Sequence, residues 1–411
     1  MPVTLRQITT DEVPDFVRAT GVGFGFRSSE ADIEAERGMM DASRSVAAVD
    51  GSRIVGTAMS FATELTLPGA TRIAVAAVTS VTVAPTHRRQ GILRQMMTRQ
   101  LRECQERGEP VAILTASESG IYGRFGYGSA TTVTTTEIST RHATLSTQTQ
   151  PTGTLRLIEL EEARESVFPP LFERIRLTQP GEIARSAGYW RTFIRPDGGP
   201  AGPGAGPQFF VAYYAADGAL AGAVSYRFQA NWDYQMPNST IEVSDFLATT
   251  TEARVALWRY CLSVDLVARV KLWRRPVEDP LRWLLADPRR LRALALREFI
   301  FVRPLDVPVL LGSRHYATSG AIVLDVRDDF TPEMSGSYEV EATPDGASCR
   351  RTRARADIQL SMADLGSIAL GGARLRTLAG ADRVAELTPG AIARADVMFL
   401  SDPPPFCSSP F

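Results

Sequence analysis

At 411 residues the chain exceeds one ordinary core, and three domains are the starting expectation. Hydrophobic residues make up 44% and charged residues 22%, with a formal net charge of −1, which argues against a broad electrostatic footprint for nucleic acid or an anionic membrane. Cys104, Cys261, Cys349 and Cys407 stand far apart without a CxxC pair, the N-terminus lacks a signal-like apolar run, and no stretch has the length of a membrane span, so a metal-free, cytoplasmic protein is expected.

The first segment opens on a short strand at Val3-Thr4-Leu5-Arg6 and continues through a polar, helical region to about Ala42. Ser45 to Val49 and Ile54 to Met59 flank Asp50-Gly51, the pattern of a β-hairpin. Ile73 to Val83 reads as a further strand, and its end, Val81-Thr82-Val83, alternates as a half-buried strand does. Pro85 stops it. Ile92, Leu93, Met96, Met97, Leu101 and Cys104 then recur at helical spacing, which predicts an amphipathic helix over 91–106. Val111 to Leu114 is a short buried strand, and Gly120 to Gly128 a tight, glycine-rich corner.

Residues 139–155 are rich in Ser, Thr and Gln and read as a linker. The next segment echoes the first: Phe209 to Tyr214, then Asp217-Gly218, then Leu220 to Tyr226 form a second hairpin pattern, followed by Ile241-Glu242-Val243, Phe246-Leu247 and a helical run from Glu252 to about Val264. The order matches, so a duplicated fold is expected. The second copy turns from strand to helix through Ala248-Thr249-Thr250-Thr251-Glu252-Ala253-Arg254, without glycine or paired arginines, and is not expected to hold a pyrophosphate. Asp197 to Pro207 reads as a surface loop. From about Arg303 an α+β pattern follows: strands at Ile322–Val326, Gly336–Val340 and Ile358–Ser361, helices at Ala363–Leu370 and Ala379–Glu386. The tail, Pro403-Pro404-Pro405-Phe406-Cys407-Ser408-Ser409-Pro410-Phe411, is stiff and has little freedom to lose on docking, as befits a directed strap.

Chemistry concentrates in Val81-Thr82-Val83-Ala84-Pro85-Thr86-His87-Arg88-Arg89-Gln90-Gly91-Ile92-Leu93-Arg94. A strand ends, a basic glycine turn follows and a helix begins. The first N–H groups of a helix lack internal partners, and the macrodipole adds positive potential, so the turn suits a pyrophosphate. Arg88, Arg89 and Arg94 add fork-shaped donors. The turn lacks the Lys-Ser/Thr ending of a Walker loop and the three glycines of a dinucleotide fingerprint.

This turn resembles motif A of the GNAT superfamily, whose R/Q-x-x-G-x-G/A loop cradles the pyrophosphate of CoA. Together with Ser117-Glu118-Ser119-Gly120-Ile121-Tyr122-Gly123-Arg124-Phe125-Gly126-Tyr127-Gly128, the whole chain resembles the enhanced intracellular survival (Eis) family of acetyltransferases. The resemblance implies tandem GNAT folds followed by a sterol-carrier-protein-like α+β domain, with boundaries drawn at 1–150, 151–300 and 301–411, and a homohexamer. It implies acetyl-CoA as cosubstrate, held by Val81, Thr82, Val83, Arg88, Arg89, Gln90, Gly91, Ile92, Leu93, Arg94, Tyr122 and Gly123. It implies acetylation of primary amines on aminoglycoside-type molecules or lysine side chains, by direct attack. Tyr127 would be the general acid and the α-carboxylate of Phe411 the general base. No acid precedes Phe411, so an extra acidic contact to a polycation there is not expected.

Other candidates carry less. Glu30, Asp32, Glu34 and Glu36 could attract a cationic amine, although a solvated helix face accounts for them. His87, His142 and His315 form no metal or triad set, and Trp190, Trp232, Trp258, Trp273 and Trp283 read as packing residues. A rival of another class is a lipid- or acyl-CoA-binding or sensing protein in which the C-terminal domain carries the function.

Overall fold

The computed structural model describes residues 3–37, 40–195 and 206–411. Most of the loop expected over Asp197 to Pro207 lies outside them. In chain order, the first strands are β1 (Thr4–Arg6), β2 (Ser45–Asp50), β3 (Arg53–Thr66), β4 (Arg72–Val83), β5 (Val111–Thr115) and β6 (Gly128–Ser129). The polar region after β1 folds into the helices Val13–Phe24 and Glu30–Arg37. The predicted amphipathic helix is Ile92–Glu106, and it buries Ile92, Met96, Met97, Leu101 and Cys104.

The chain continues through β7 (Thr132–Ser139), β8 (Thr154–Ile158), β9 (Gln208–Tyr214), β10 (Leu220–Gln229), β11 (Trp232–Asp233), β12 (Met236–Pro237), β13 (Ser239–Ala248), β14 (Val267–Arg275), β15 (Leu291–Glu298) and β16 (Ile300–Pro304). The last strands are β17 (Gly320–Arg327), β18 (Gly336–Thr343), β19 (Gly346–Thr352), β20 (Ile358–Ser361) and β21 (Val384–Glu386). Helicity predicted over Ala379–Glu386 gives way to a helix Leu375–Gly380 and the strand β21, with Asp382 at φ 59° in the turn between them.

Two compact units form. One comprises Met1–Thr131, Glu298–Pro405 and Pro410–Phe411, the other Thr132–Arg297 and Phe406–Ser409. The first sheet runs β1-β2-β3-β4-β5-β16-β6, and the second runs β15-β7-β14-β13-β10-β9-β8. Strand β16 pairs antiparallel with β5 and with β6, while β7 pairs antiparallel with β14.

The first unit also holds the C-terminal sheet, β19-β18-β17-β20-β21. Its helix Met362–Ile368 comes so close to β6 that a Cβ at Gly128 would fall 1.7 Å from the Ala363 carbonyl oxygen. This contact explains the last glycine of the Phe-Gly-Tyr-Gly run. A fully buried ion pair, Arg303 Nη2 to Asp328 Oδ2 at 2.6 Å, ties β16 to the loop after β17. Removing either partner would strand a buried charge at a cost of about 3–5 kcal/mol.

Candidate active site

Strands β4 and β5 run parallel but pair only at Ala76↔Ala112 and Ala77↔Ile113, although β4 continues to Val83 and β5 to Thr115. Their C-terminal halves part and open a cleft. Against β3, β4 carries an extra residue: Thr57 faces Thr82 and Met59 faces Thr79, so Ser80 and Val81 together oppose Ala58. Ser80 has φ 55°, and its carbonyl accepts a hydrogen bond from Thr57 Oγ1 at 2.7 Å. Such a bulge re-aims the strand, and here it turns the end of β4 along the cleft.

The resulting groove measures about 910 Å³. Val81, Thr82, Val83, Arg88, Arg89, Gly91, Ile92, Leu93, Arg94 and Tyr122 line it. Gln90 and Gly123 are not among its lining residues. Gly91 is the N-cap of the helix, at φ 78°, and no side chain caps the turn. The first N–H groups of that helix therefore face the groove without an acceptor from the helix itself. A Cβ at Gly91 would find only Gln95 Nε2, at 3.9 Å, so the backbone angle, and not crowding, requires glycine here. Arg89 is also left-handed, at φ 64°. A basic turn with outward N–H groups and left-handed residues at Arg89 and Gly91 is a concave anion site. A diphosphate fits that chemistry.

The opposite wall includes residues that no sequence pattern singled out for the cofactor. Glu118, Ile121, Arg124 and Phe125 line it, and Gly23 and Phe24 contribute from the helix Val13–Phe24. Phe330, from the C-terminal domain, packs edge-on against Phe125 at 5.0 Å and lies under the Arg94 guanidinium at 5.1 Å. His87 also lines the groove; its Nε2 lies 3.4 Å from Asp50 Oδ2.

Of the two tyrosines of the corner, Tyr122 lines the groove; Tyr127 and Phe411 are not among its lining residues. Tyr127 is 1% exposed, packed among Val78, Met97, Leu101, Cys104 and Leu114, and is not a lining residue. Burial holds its phenol well above the ordinary value. Tyr122 stands edge-on to it, 5.9 Å between ring centres. Its phenol is pushed up to about 12, first by burial and then by the neighbouring Glu118 carboxylate. The physical reason for the difference lies in the corner itself: the helix Ser119–Tyr122 ends at the groove, and the left-handed Gly126 turns the chain inward before β6.

Phe411 belongs to the same unit. Its main-chain oxygen accepts a hydrogen bond from Thr115 Oγ1, at 3.0 Å, at the end of β5, and its ring meets Phe61 edge-on at 5.6 Å. Glu30 and Glu34 are engaged in exposed ion pairs with Arg18 and Arg37, in keeping with a solvated helix face.

Comparison with known proteins agrees with this geometry. Residues 4–130 and 181–303 each match an acetyltransferase (GNAT) domain family, and residues 307–408 match a sterol carrier protein domain. An N-acetyltransferase of Streptomyces griseus is 35% identical over the full length of both chains. N-acetyltransferase Eis of Mycobacterium tuberculosis is 32% identical over 98% of each chain. This chain belongs to the Eis family of GNAT N-acetyltransferases. The crystal structure of Eis1 from Mycobacterium abscessus superposes with a TM-score of 0.85 at 31% identity, covering 99% of this chain and all of that one. The family match makes the chain an N-acetyltransferase on a fold that uses acetyl-CoA, with a second GNAT domain and a sterol-carrier-protein-like C-terminal domain. Among the described residues no helix is long and apolar enough to cross a membrane.

Proposed function

We propose that this Eis-family enzyme moves acetyl from acetyl-CoA to a primary amine of a cationic acceptor, of the aminoglycoside or lysine type. The observation that carries the reading is the position of Phe411, whose main-chain oxygen is held by Thr115 at the end of β5, the strand that opens the cleft. Bound acetyl-CoA supplies the activated acetyl thioester. Arg88, Arg89 and the N–H groups after Gly91 hold its phosphates. The new N–C bond forms as the C–S bond breaks. The Phe411 carboxylate accepts a proton from the attacking amine, and Tyr122 donates one to the departing sulfur. A phenol raised to about 12 remains protonated at neutral pH and suits that task. Tyr127, buried behind Tyr122, packs the corner that positions it.

The test is steady-state kinetics, with CoA binding measured alongside. Extending the chain past Phe411 turns the carboxylate into an amide, and this change or Tyr122→Phe should each lower kcat by about 10² to 10⁴. Affinity for CoA should persist. Tyr127→Phe should cost far less. A Tyr127→Phe enzyme as slow as the Tyr122→Phe enzyme would reverse the assignment of the acid.

We further propose a homohexamer in the cytoplasm. Family membership and the exposed apolar residues Trp232, Tyr234, Met236 and Trp283 support association. Light scattering of the purified protein reads the subunit number.

A further inference from the structure

The helix Ile92–Glu106 carries three arginines, and their charges are met in different ways. Arg99 pairs with Glu103 at 2.8 Å and Arg102 with Glu106 at 3.6 Å, each one turn further along. Arg94, in the first turn, pairs with no carboxylate among the described residues. Its guanidinium stands over the Phe330 ring instead, 5.1 Å from its carbon to the ring centre. The two kinds of partner leave different things behind. A carboxylate neutralises the charge and uses up N–H donors. A ring face attracts the cation through its quadrupole and takes none of the five donors. Arg94 thus lines the groove with its charge and its hydrogen bonds still to give.

Phe330 lies outside the GNAT fold, in the loop after β17 of the C-terminal domain. One buried carboxylate fixes that loop. Asp328 Oδ1 accepts from Phe330 N at 3.0 Å and from Thr331 N at 3.1 Å, while Oδ2 accepts from Arg303 Nη2 at 2.6 Å. Asp328 N donates to Ser335 Oγ at 2.9 Å and closes the turn, and Arg303 Nη2 also reaches Thr331 Oγ1 at 3.1 Å. The ring so held packs edge-on against Phe125, with 5.0 Å between ring centres. Phe125 and Arg94 line the groove, and Phe330 does not. Its influence on a ligand therefore passes through those two residues.

We propose that the C-terminal domain completes the cofactor site of the first GNAT copy, with Phe330 as a positioning residue that holds the Arg94 guanidinium ready for a phosphate group of CoA. The inference rests on the reading of the groove as the acetyl-CoA site. An unpaired arginine in water samples many rotamers and must give them up on meeting a ligand. A ring beneath the guanidinium restricts that freedom in advance, so less is lost on binding. The planar fork stays free for two oxygens of one phosphate. A carboxylate in place of the ring would also order the arginine, but it would compete with the phosphate for the same charge. The sterol-carrier-like domain thereby serves the acetyl-transfer site itself.

Isothermal titration of the full-length protein with CoA, beside steady-state kinetics, tests this. Phe330→Leu keeps an apolar group against Phe125 and removes the ring face. It should weaken CoA binding about two- to five-fold, raise the KM for acetyl-CoA by the same factor and leave kcat unchanged. Phe330→Tyr should bind as the native protein does. Trifluorophenylalanine at this position keeps the ring's shape and withdraws charge from its face; its affinity should fall between the native and leucine values, and it carries the test if the leucine protein does not fold. In an Arg94→Ala background the leucine change should cost nothing more, because the ring has no cation left to hold. Native affinity in the leucine and fluorinated proteins, or losses that multiply in the double variant, would overturn the proposal. Failure of the underlying reading looks different. A native chain that takes up no CoA would remove the cofactor groove altogether. An Arg94→Ala protein with native affinity would leave the groove standing and remove the arginine, and with it the task given to Phe330. Dephospho-CoA, which lacks the ribose phosphate, locates the contact: a loss confined to CoA assigns Arg94 to that phosphate, and equal losses for both ligands assign it to the diphosphate.

Discussion

The two GNAT copies begin their central helices in opposite ways. At Ile92–Glu106 the cap is Gly91, no side chain reaches the first turn, and Arg88, Arg89 and Arg94 surround it. At Thr251–Ser263 the Thr250 hydroxyl accepts the Ala253 N–H at 3.1 Å. Glu252, in the first turn, then supplies the negative charge that a helix start favours. Its carboxylate is held down to about 2, chiefly by the Tyr213 hydroxyl at 2.6 Å and then by Thr152. Both copies keep the bulge and the parting strands: in the second, Ser244 is the extra residue of β13, and β13 and β14 pair no further than Val243↔Leu272. The scaffold therefore supplies a cleft in either case, and the few residues at the strand-to-helix turn decide whether the helix start is open to a ligand anion or closed by the protein's own groups. The same exchange holds along the cleft, which is open in the first copy and in the second measures about 140 Å³, with Phe406 and Ser408 of the tail among its lining residues.

The sharpest way to break this comparison is at Gly91. Gly91→Val forces a β-branched residue to φ 78°, which should distort the turn and weaken CoA binding at least tenfold. Arg89→Ala should have a milder effect, raising the KM for acetyl-CoA with little change in kcat, because phosphate contacts are alike in ground and transition states. Isothermal titration with CoA measures both, and it should give one site per chain. Two equivalent sites, or native affinity in the Gly91→Val protein, would show that the open turn is not what distinguishes the copies.

Much of this was legible in the sequence, for a reason each residue supplies. The run from Val81 to Arg94 carries strand, turn and helix signals in order, and each was found where it was expected. The repeat was visible because Asp50-Gly51 and Asp217-Gly218 mark equivalent hairpins. Pairing was not legible. Periodicity identifies a strand without naming its partner, so nothing in Ile300–Pro304 announces that it lies between β5 and β6. Nor does linear spacing say which tyrosine of Tyr122-Gly123-Arg124-Phe125-Gly126-Tyr127 faces the groove; the left-handed Gly126 settles that. Nor does any pattern mark Phe330, which reaches the groove wall from another domain.

A smaller effect is expected at Thr250. Thr250→Ala removes the cap of the second helix and should destabilise the protein by about 1 kcal/mol. It should not create a second CoA site, because Glu252 still occupies the helix start and Phe406 and Ser408 still line the small cleft. Denaturant titration together with CoA stoichiometry tests both halves. A second site appearing in this variant would mean that the cap alone had closed the copy.

The finest distinction between the copies concerns the proposed acid. Tyr122 lines the first groove, whereas no tyrosine is among the described residues lining the second cleft. An acid works while it is protonated, and a raised pKa extends that range upward. With the Tyr122 phenol near 12, its contribution to kcat should hold through pH 10 and fall only as pH rises toward 12. Burial is the larger cause and Glu118 the smaller. Glu118→Gln removes the like-charge repulsion that disfavours the phenolate, so the alkaline limb should move to lower pH. It should not reach the ordinary phenol value near 10, because the burial persists. Profiles of kcat against pH for the native and Glu118→Gln enzymes, with CoA saturating, read the displacement directly. A limb unmoved by Glu118→Gln but abolished by Tyr127→Phe would transfer the acid's role from the groove wall to the buried ring behind it, and a native limb already centred near 10 would fit neither phenol.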